Sequence, residues 1–197
     1  MKGSLIIVGF FVLGTICGVC HLLPFDIAET NISYYALCAL MFSVGLSVGN
    51  DPQTLKNFRS LNPRLVFLPI MTILGTLAGS AAVSLILTHR SITDCLAVGS
   101  GFGYYSLSSI FITEYKGAEL GTIALLANIS REILTLLAAP LLVRWFGNLA
   151  PISAGGATTM DTTLPIITRT AGQQFVVVSI FHGFVVDFSV PFLVTLF

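Results

Sequence analysis

The chain has 197 residues, 55% of them hydrophobic and only 9% charged, with nine basic and nine acidic side chains. An average soluble domain is about 25% charged, so this composition, with a mean hydropathy of +0.93, is that of an integral membrane protein. Balanced charge, with no basic run, no zinc-ligand spacing and no Walker-type phosphate loop, argues against a nucleic-acid partner and against ATP hydrolysis.

The first apolar run extends from about Ser4 to Leu23, close to the ~20 residues a spanning helix needs and longer than a usual signal-peptide core. Near its end, Cys17, Gly18, Val19, Cys20 and His21 spell the C-x-x-C-H pattern of c-type haem attachment. The pattern lies at a helix end without a haem-sized domain around it, so helix packing is the better account. Cys38 and Cys95 also fall in or beside spans, which makes the cysteines small apolar packing residues. No disulfide framework, metal or cofactor is expected.

Further spans are predicted over 32–49 and 65–87. Pro24, Asp26 and Glu29 mark the first loop; Asn50, Asp51 and Pro52 open the second, which carries Lys56, Arg59 and Arg64. By the positive-inside rule the second loop is cytoplasmic, which places the N-terminus inside. Gly75 and Gly79 form a G-x-x-x-G in the third span, read as close helix packing within the subunit, with a dimer face as the alternative.

The segment 92–115 differs in kind. Its centre holds Gly99, Gly101 and Gly103 among Ser100, Phe102, Tyr104, Tyr105 and Ser106, a poor sequence for a continuous helix. Unwound backbone in a membrane is tolerated only where protein or a watery cavity satisfies its peptide groups. Broken helices of this kind build substrate sites in secondary transporters; a glycine-lined packing groove is the alternative.

The span 119–146 would be roughly 40 Å long if helical throughout. Asn128, Arg131, Glu132 and Thr135 fall near its midpoint at i, i+3, i+4, i+7, which gathers them on one stripe. Charge at a bilayer centre costs roughly 2.5–3.5 kcal/mol per residue, so such groups face a protein interior or a watery path. Arg131 and Glu132 are neighbours in sequence and splay by about 100°, so Arg131 is expected to seek an acid elsewhere, at Asp161 or Asp187. A helix-pinning salt bridge and a substrate role both remain open for it.

Residues 150–170 repeat the broken theme, with Gly155, Gly156, Thr158, Thr159, Thr162 and Thr163 around Asp161. They suit an ion or amine site, an ordinary polar loop being the alternative. The last span, 173–197, contains His182 and Asp187; His182 is read first as a hydrogen-bonded packing residue and second as a proton carrier. If both broken segments cross fully, Arg144 lies outside. If both are re-entrant hairpins, Arg144 lies inside and Lys116 outside. Either way the N-terminus is cytoplasmic and the C-terminus external. The fold class expected is an all-α, multi-pass helical bundle with two discontinuous or re-entrant segments.

Four stretches, SGFGYYSLSSIFITE (Ser100 to Glu114), ANISREI (Ala127 to Ile133), GATTMDTTLPIITRTAG (Gly156 to Gly172) and FHGF (Phe181 to Phe184), with VGLSVGND from Val44 to Asp51, resemble the lysine exporter family of the bacterial inner membrane. The resemblance implies export of L-lysine in exchange for protons. It also implies an architecture similar to the sodium/proton antiporter and bile-acid transporter superfamily. Full-length members carry a further N-terminal three-span segment, so a small three-span membrane protein supplying it, or a homodimer, is the partner expected besides lipid.

Lysine carries two ammonium groups and one carboxylate, so Glu132 and Asp161 are assigned to the side-chain ammonium and to an alternating proton. The carboxylate is assigned to a half-helix N-terminus around Gly101, Gly103, Tyr105 and Ser106, or to Arg131. Asn128, Gly156, Thr158, Thr159, Thr162 and His182 complete the candidate site. A cation/proton antiporter without an organic substrate, and a larger subunit inactive without its partner, are the alternatives. An enzyme is not expected, since neither a G-x-S-x-G nor an H-E-x-x-H motif occurs.

Overall fold

The computed structural model describes residues 63–87 and 89–197, preceded by isolated helical positions at Leu13, Ile16, Cys17, Tyr35, Ala39 and Phe42. The spans expected over 4–23 and 32–49, and the basic loop with Lys56 and Arg59, lie outside the described residues. The chain divides into two compact units, Met1–Ser47 and Val48–Phe197; the candidate site belongs to the second.

Among the described residues there are helices and turns but no strand. A 3-10 turn, Pro63–Val66, leads into α1 (Phe67–Ser84). The segment that the glycines were expected to break is α2 (Ile92–Gly99) and α3 (Tyr105–Lys116), followed by α4 (Ala118–Phe146). The second broken segment is α5 (Ala150–Gly155), a 3-10 turn (Gly156–Met160) and α6 (Leu164–Ala171). A short turn, Gln173–Phe175, then opens α7 (Val176–Leu196). Three stretches, Phe67–Ser84, Ala118–Phe146 and Gln173–Leu196, are long and apolar enough to cross a membrane.

Local chemistry accounts for these boundaries. Ser91 caps α2 by accepting the Asp94 N–H at 3.1 Å, an N-cap pairing that satisfies one orphan donor. Pro69 is buried in the first turn of α1, where a missing N–H costs nothing. Inside the helices, Ser100, Ser108, Thr122, Thr135 and Ser179 return their hydroxyls to the carbonyl four residues back. That satisfies each hydroxyl where water is scarce.

Both broken segments are hairpins. At the ends of the first, Lys116 donates to Asp94 at 2.9 Å and Arg90 pairs with Glu119. The start of α2, the end of α3 and the start of α4 therefore lie together. A segment crossing the full ~30 Å of hydrocarbon could not bring Asp94 to Lys116.

The second hairpin enters from the other end of α4. A buried cluster of Ile152 from α5, Ile167 and Ala171 from α6, and Val178 from α7 packs with Leu65, Leu68 and Val143. The ends of α5 and α6 thus gather with the start of α1 and the end of α4. Each segment thus turns back on itself between its two helices. Residues 151–159 are largely buried, which is not the state of an ordinary polar loop.

Among the described residues, close helix approach occurs at Gly99 and Gly121. Gly75 and Gly79 have nothing within 4 Å of where a Cβ would lie, among the described residues. A Cβ on Gly99 would collide with Ser80 of α1, and one on Gly121 would lie 3.0 Å from the Ser109 carbonyl of α3. Cys17 and Cys95 are free thiols.

Candidate functional site

The two hairpin tips meet. The Ala157 N–H donates to the Phe102 carbonyl at 3.0 Å, joining the 3-10 turn of one hairpin to the break of the other. Backbone conformation makes this approach possible. Phe102 and Gly103 adopt φ of +46° and +95°, and Gly156 adopts +64°. A side chain at Gly156 would run into the Phe102 carbonyl, and one at Gly103 would lie 3.1 Å from the Gly155 carbonyl. Only glycine allows both the turn and the contact at these positions.

From α4, Asn128 and Arg131 hold the juncture. Asn128 is buried and accepts the Gly103 N–H at 2.7 Å, while its amide donates to the Ala124 carbonyl at 2.9 Å. It thereby satisfies a peptide group freed by the break. A Cβ on Gly101 would lie 2.6 Å from the Ser108 hydroxyl and against this same amide. Arg131 donates from Nε to the Ala154 carbonyl at 2.7 Å and from Nη2 to the Ser153 carbonyl at 3.0 Å. Its third direction reaches the Thr76 hydroxyl at 3.4 Å, and the guanidinium lies 5.9 Å from the Phe102 ring centroid.

The expectation that Arg131 pairs with Asp161 or Asp187 is therefore corrected. Its partners are carbonyls at the C-terminal end of α5, the negative pole of that short helix. The planar fork of guanidinium donors fits two adjacent carbonyls. Sequence spacing could not reveal this, because the acceptors are main-chain atoms.

The second tip is largely closed on itself. Thr158 donates to the Gly155 carbonyl at 2.9 Å and lies 3.1 Å from the Thr163 hydroxyl. The Thr159 hydroxyl is 2.8 Å from the Gly156 carbonyl, 2.9 Å from the Ser179 carbonyl and 3.2 Å from His182 Nδ1. His182 is fully buried, and its Nε2 lies 2.9 Å from the Thr72 hydroxyl, so both ring nitrogens have partners. The ring ties α7 to the tip and to α1.

The acids are distributed unevenly. Glu132 is half-buried and has no ion pair or hydrogen bond among the described residues. Asp161 is exposed at the end of the 3-10 turn, where one carboxylate oxygen accepts the Thr162 N–H at 2.5 Å. Thr162, Tyr105 and Ser106 are also exposed, the latter two in the first turn of α3. The tips thus bring together Gly101, Gly103, Asn128, Arg131, Gly156, Thr158, Thr159 and His182, whereas Glu132 is not tied to them by a bond.

Asp187, which the sequence offered only as a partner for Arg131, is left without that role. Asp187 is 7% exposed, and its Oδ1 has no hydrogen-bond partner among the described residues. Asp161 and Asp187 lie within electrostatic range of each other, and both act on the Tyr104 phenol. The one available signal in sequence was an acid within an apolar helix.

A cleft of about 780 Å³ runs between α1, α2 and α4, with His89, Arg90 and Asp94 at one end and Asn128 and Arg131 at the other. Its size is ordinary for a small-molecule site, and its lining includes Thr76, Ser80 and Gly99.

Residues 8–197 match the family described as "Lysine exporter LysO". Over 194 residues, 98% of the chain, the sequence is 36% identical to the lysine exporter LysO of Escherichia coli, the match covering 64% of that protein. It is 34% identical over the same share of the chain to a putative lysine exporter of Haemophilus influenzae, covering 95% of that protein. The chain thus spans just under two thirds of the Escherichia coli relative and nearly all of the other. No solved structure matches.

Proposed function

The chain belongs to the lysine exporter family, and from that premise we propose that it moves L-lysine out of the cytoplasm by secondary transport coupled to protons. The observation that carries the reading is the juncture of the two hairpin tips, where Ala157 N–H meets the Phe102 carbonyl. Broken helices meeting within a bundle give a transporter a polar site with few peptide groups left unsatisfied. The arrangement supports, by analogy of architecture, kinship with the sodium/proton antiporter and bile-acid transporter superfamily.

In this proposal Glu132 and Asp161 provide the negative character that a dication needs. Asp161 is exposed beside the juncture and Glu132 is half-buried on α4, so neither is neutralised by a basic side chain among the described residues. The carboxylate of lysine sits at the start of α3, near Tyr105 and Ser106, where first-turn N–H groups lack helical partners. Arg131 shapes the site rather than binding the carboxylate, since its donors already meet Ser153 and Ala154. Proton entry onto the acids weakens their hold on lysine, which couples inward proton flow to outward release.

The cleft along α1, α2 and α4 is the access path on one side. In this proposal the N-terminus is cytoplasmic and both hairpins re-enter a bacterial inner membrane, so that Lys116 and this mouth lie outside and Arg144 inside. The test is efflux of labelled lysine from proteoliposomes holding this chain, with and without an imposed proton gradient. Gradient-dependent efflux that Glu132→Gln abolishes supports the reading. Proton flux that lysine does not stimulate would favour an antiporter of inorganic cations instead.

A further inference from the structure

The second face of the juncture, on α7, carries a site of its own. A Cβ on Gly183 would lie 2.7 Å from the Met160 N and 2.8 Å from the Thr159 hydroxyl, so α7 presses directly on the 3-10 turn. Asp187 is one helical turn further along the same face, toward Asp161, the residue after Met160, whose charge it feels. From the first hairpin, Tyr104, half-buried at the start of α3, has a phenol that feels the charge of both carboxylates. Three elements thus contribute two acids and one hydroxyl to this face of the juncture, with no base among their bonded partners in the described residues.

Asp187 is what makes this more than a cluster of acids. It is 93% removed from solvent, given its 7% exposure, yet its Oδ1 meets no donor among the described residues. A carboxylate accepts only, through as many as about four lone-pair positions, and a buried one without a donor is costly. Arg131 and His182, basic groups within the bundle, are engaged elsewhere. Among the described residues Asp187 Oδ1 therefore has room for a donor that a bound group can bring.

We infer that Asp187, with Asp161 and the Tyr104 hydroxyl oxygen, is a binding site for a primary ammonium group. Such a group has three N–H donors and one positive charge, which matches two carboxylates and one neutral acceptor. The identity of the cargo as lysine rests on the reading above; the ammonium site does not. It assigns the substrate's side-chain end to the α7 face and makes Asp187 a specificity residue.

Two measurements on the full chain in detergent test it. In the first, Asp187 is labelled with a hydrophobic carbodiimide and read by mass spectrometry. Lysine and methylammonium should each protect it, whereas norleucine, which has no side-chain ammonium, should not. In the second, Asp187→Asn should bind lysine at least roughly tenfold more weakly, as expected for loss of one charged hydrogen bond, with norleucine binding unchanged. Asp187→Glu should recover part of the loss.

A folded Asp187→Asn protein that keeps wild-type preference for lysine over norleucine overturns the inference. So does protection by sodium ion but not by methylammonium. Protection by methylammonium without lysine keeps the ammonium site and refutes lysine export. Protection by neither refutes the site, and lysine efflux in vesicles then decides separately whether the export reading stands.

Discussion

Arg131 on α4 and Asp187 on α7 flank the same juncture, yet the protein uses their bonding capacity very differently. The guanidinium is committed to two carbonyls and a threonine hydroxyl, and Asn128 one turn earlier is likewise bonded to main-chain groups. On α7, His182 has both nitrogens partnered, but Asp187, five residues on, has an oxygen with none among the described residues. The difference teaches which intramembrane polar residues are architectural. Those whose donors and acceptors the backbone consumes hold the broken hairpins in place, whereas Asp187 Oδ1, the buried oxygen left over among the described residues, is the one our inference gives to a ligand.

The comparison breaks most severely at Gly156. Gly156→Ala places a side chain against the Phe102 carbonyl at a positive φ, and should destabilise by more than about 3 kcal/mol. Loss of a monodisperse peak in detergent would show it. Arg131→Met should cost about 1.5–3 kcal/mol for each strong charged hydrogen bond that is not replaced. Arg131→Lys should recover only part in thermal unfolding, because one ammonium cannot reproduce the planar fork. Asn128→Ala leaves the Gly103 N–H without its acceptor, an expected loss of about 1–3 kcal/mol.

Asp187→Asn sharpens the contrast by doing the opposite. Removing a buried charge that lacks a partner should leave the melting temperature unchanged or raise it, while lysine binding falls. A melting temperature reduced as much as by Arg131→Met would place Asp187 among the architectural residues. The smallest effect is expected at the hairpin ends, where Asp94→Asn breaks a partly exposed pair with Lys116 and should cost about 0–1 kcal/mol.

Much of the frame was legible from sequence. Runs of apolar residues of membrane-crossing length identify α1, α4 and α7, and glycine-rich interruptions around 99–103 and 155–156 locate both breaks. The polar stripe on α4 follows from helical spacing, with Asn128 and Thr135 buried in the structure. Less of the site was legible. Arg131 was expected to find an acid because acids are what a sequence displays as partners, and peptide carbonyls carry no letter. Asp187 was offered only as a partner for Arg131 and received no binding role, because nothing in its local sequence says which face of α7 will meet the second tip.

By itself, the sequence determined that this chain is a helical membrane protein, that it belongs with lysine exporters, and where its backbone breaks. Those properties depend on local hydrophobicity, local conformational freedom and shared motifs. Only the tertiary structure decided that each broken segment turns back, that the two tips meet, and which acid is left without a donor. A glycine break permits a change of direction without specifying one. The direction comes from distant contacts, Asp94 with Lys116 at one end and Ile152 with Ile167 and Val178 at the other.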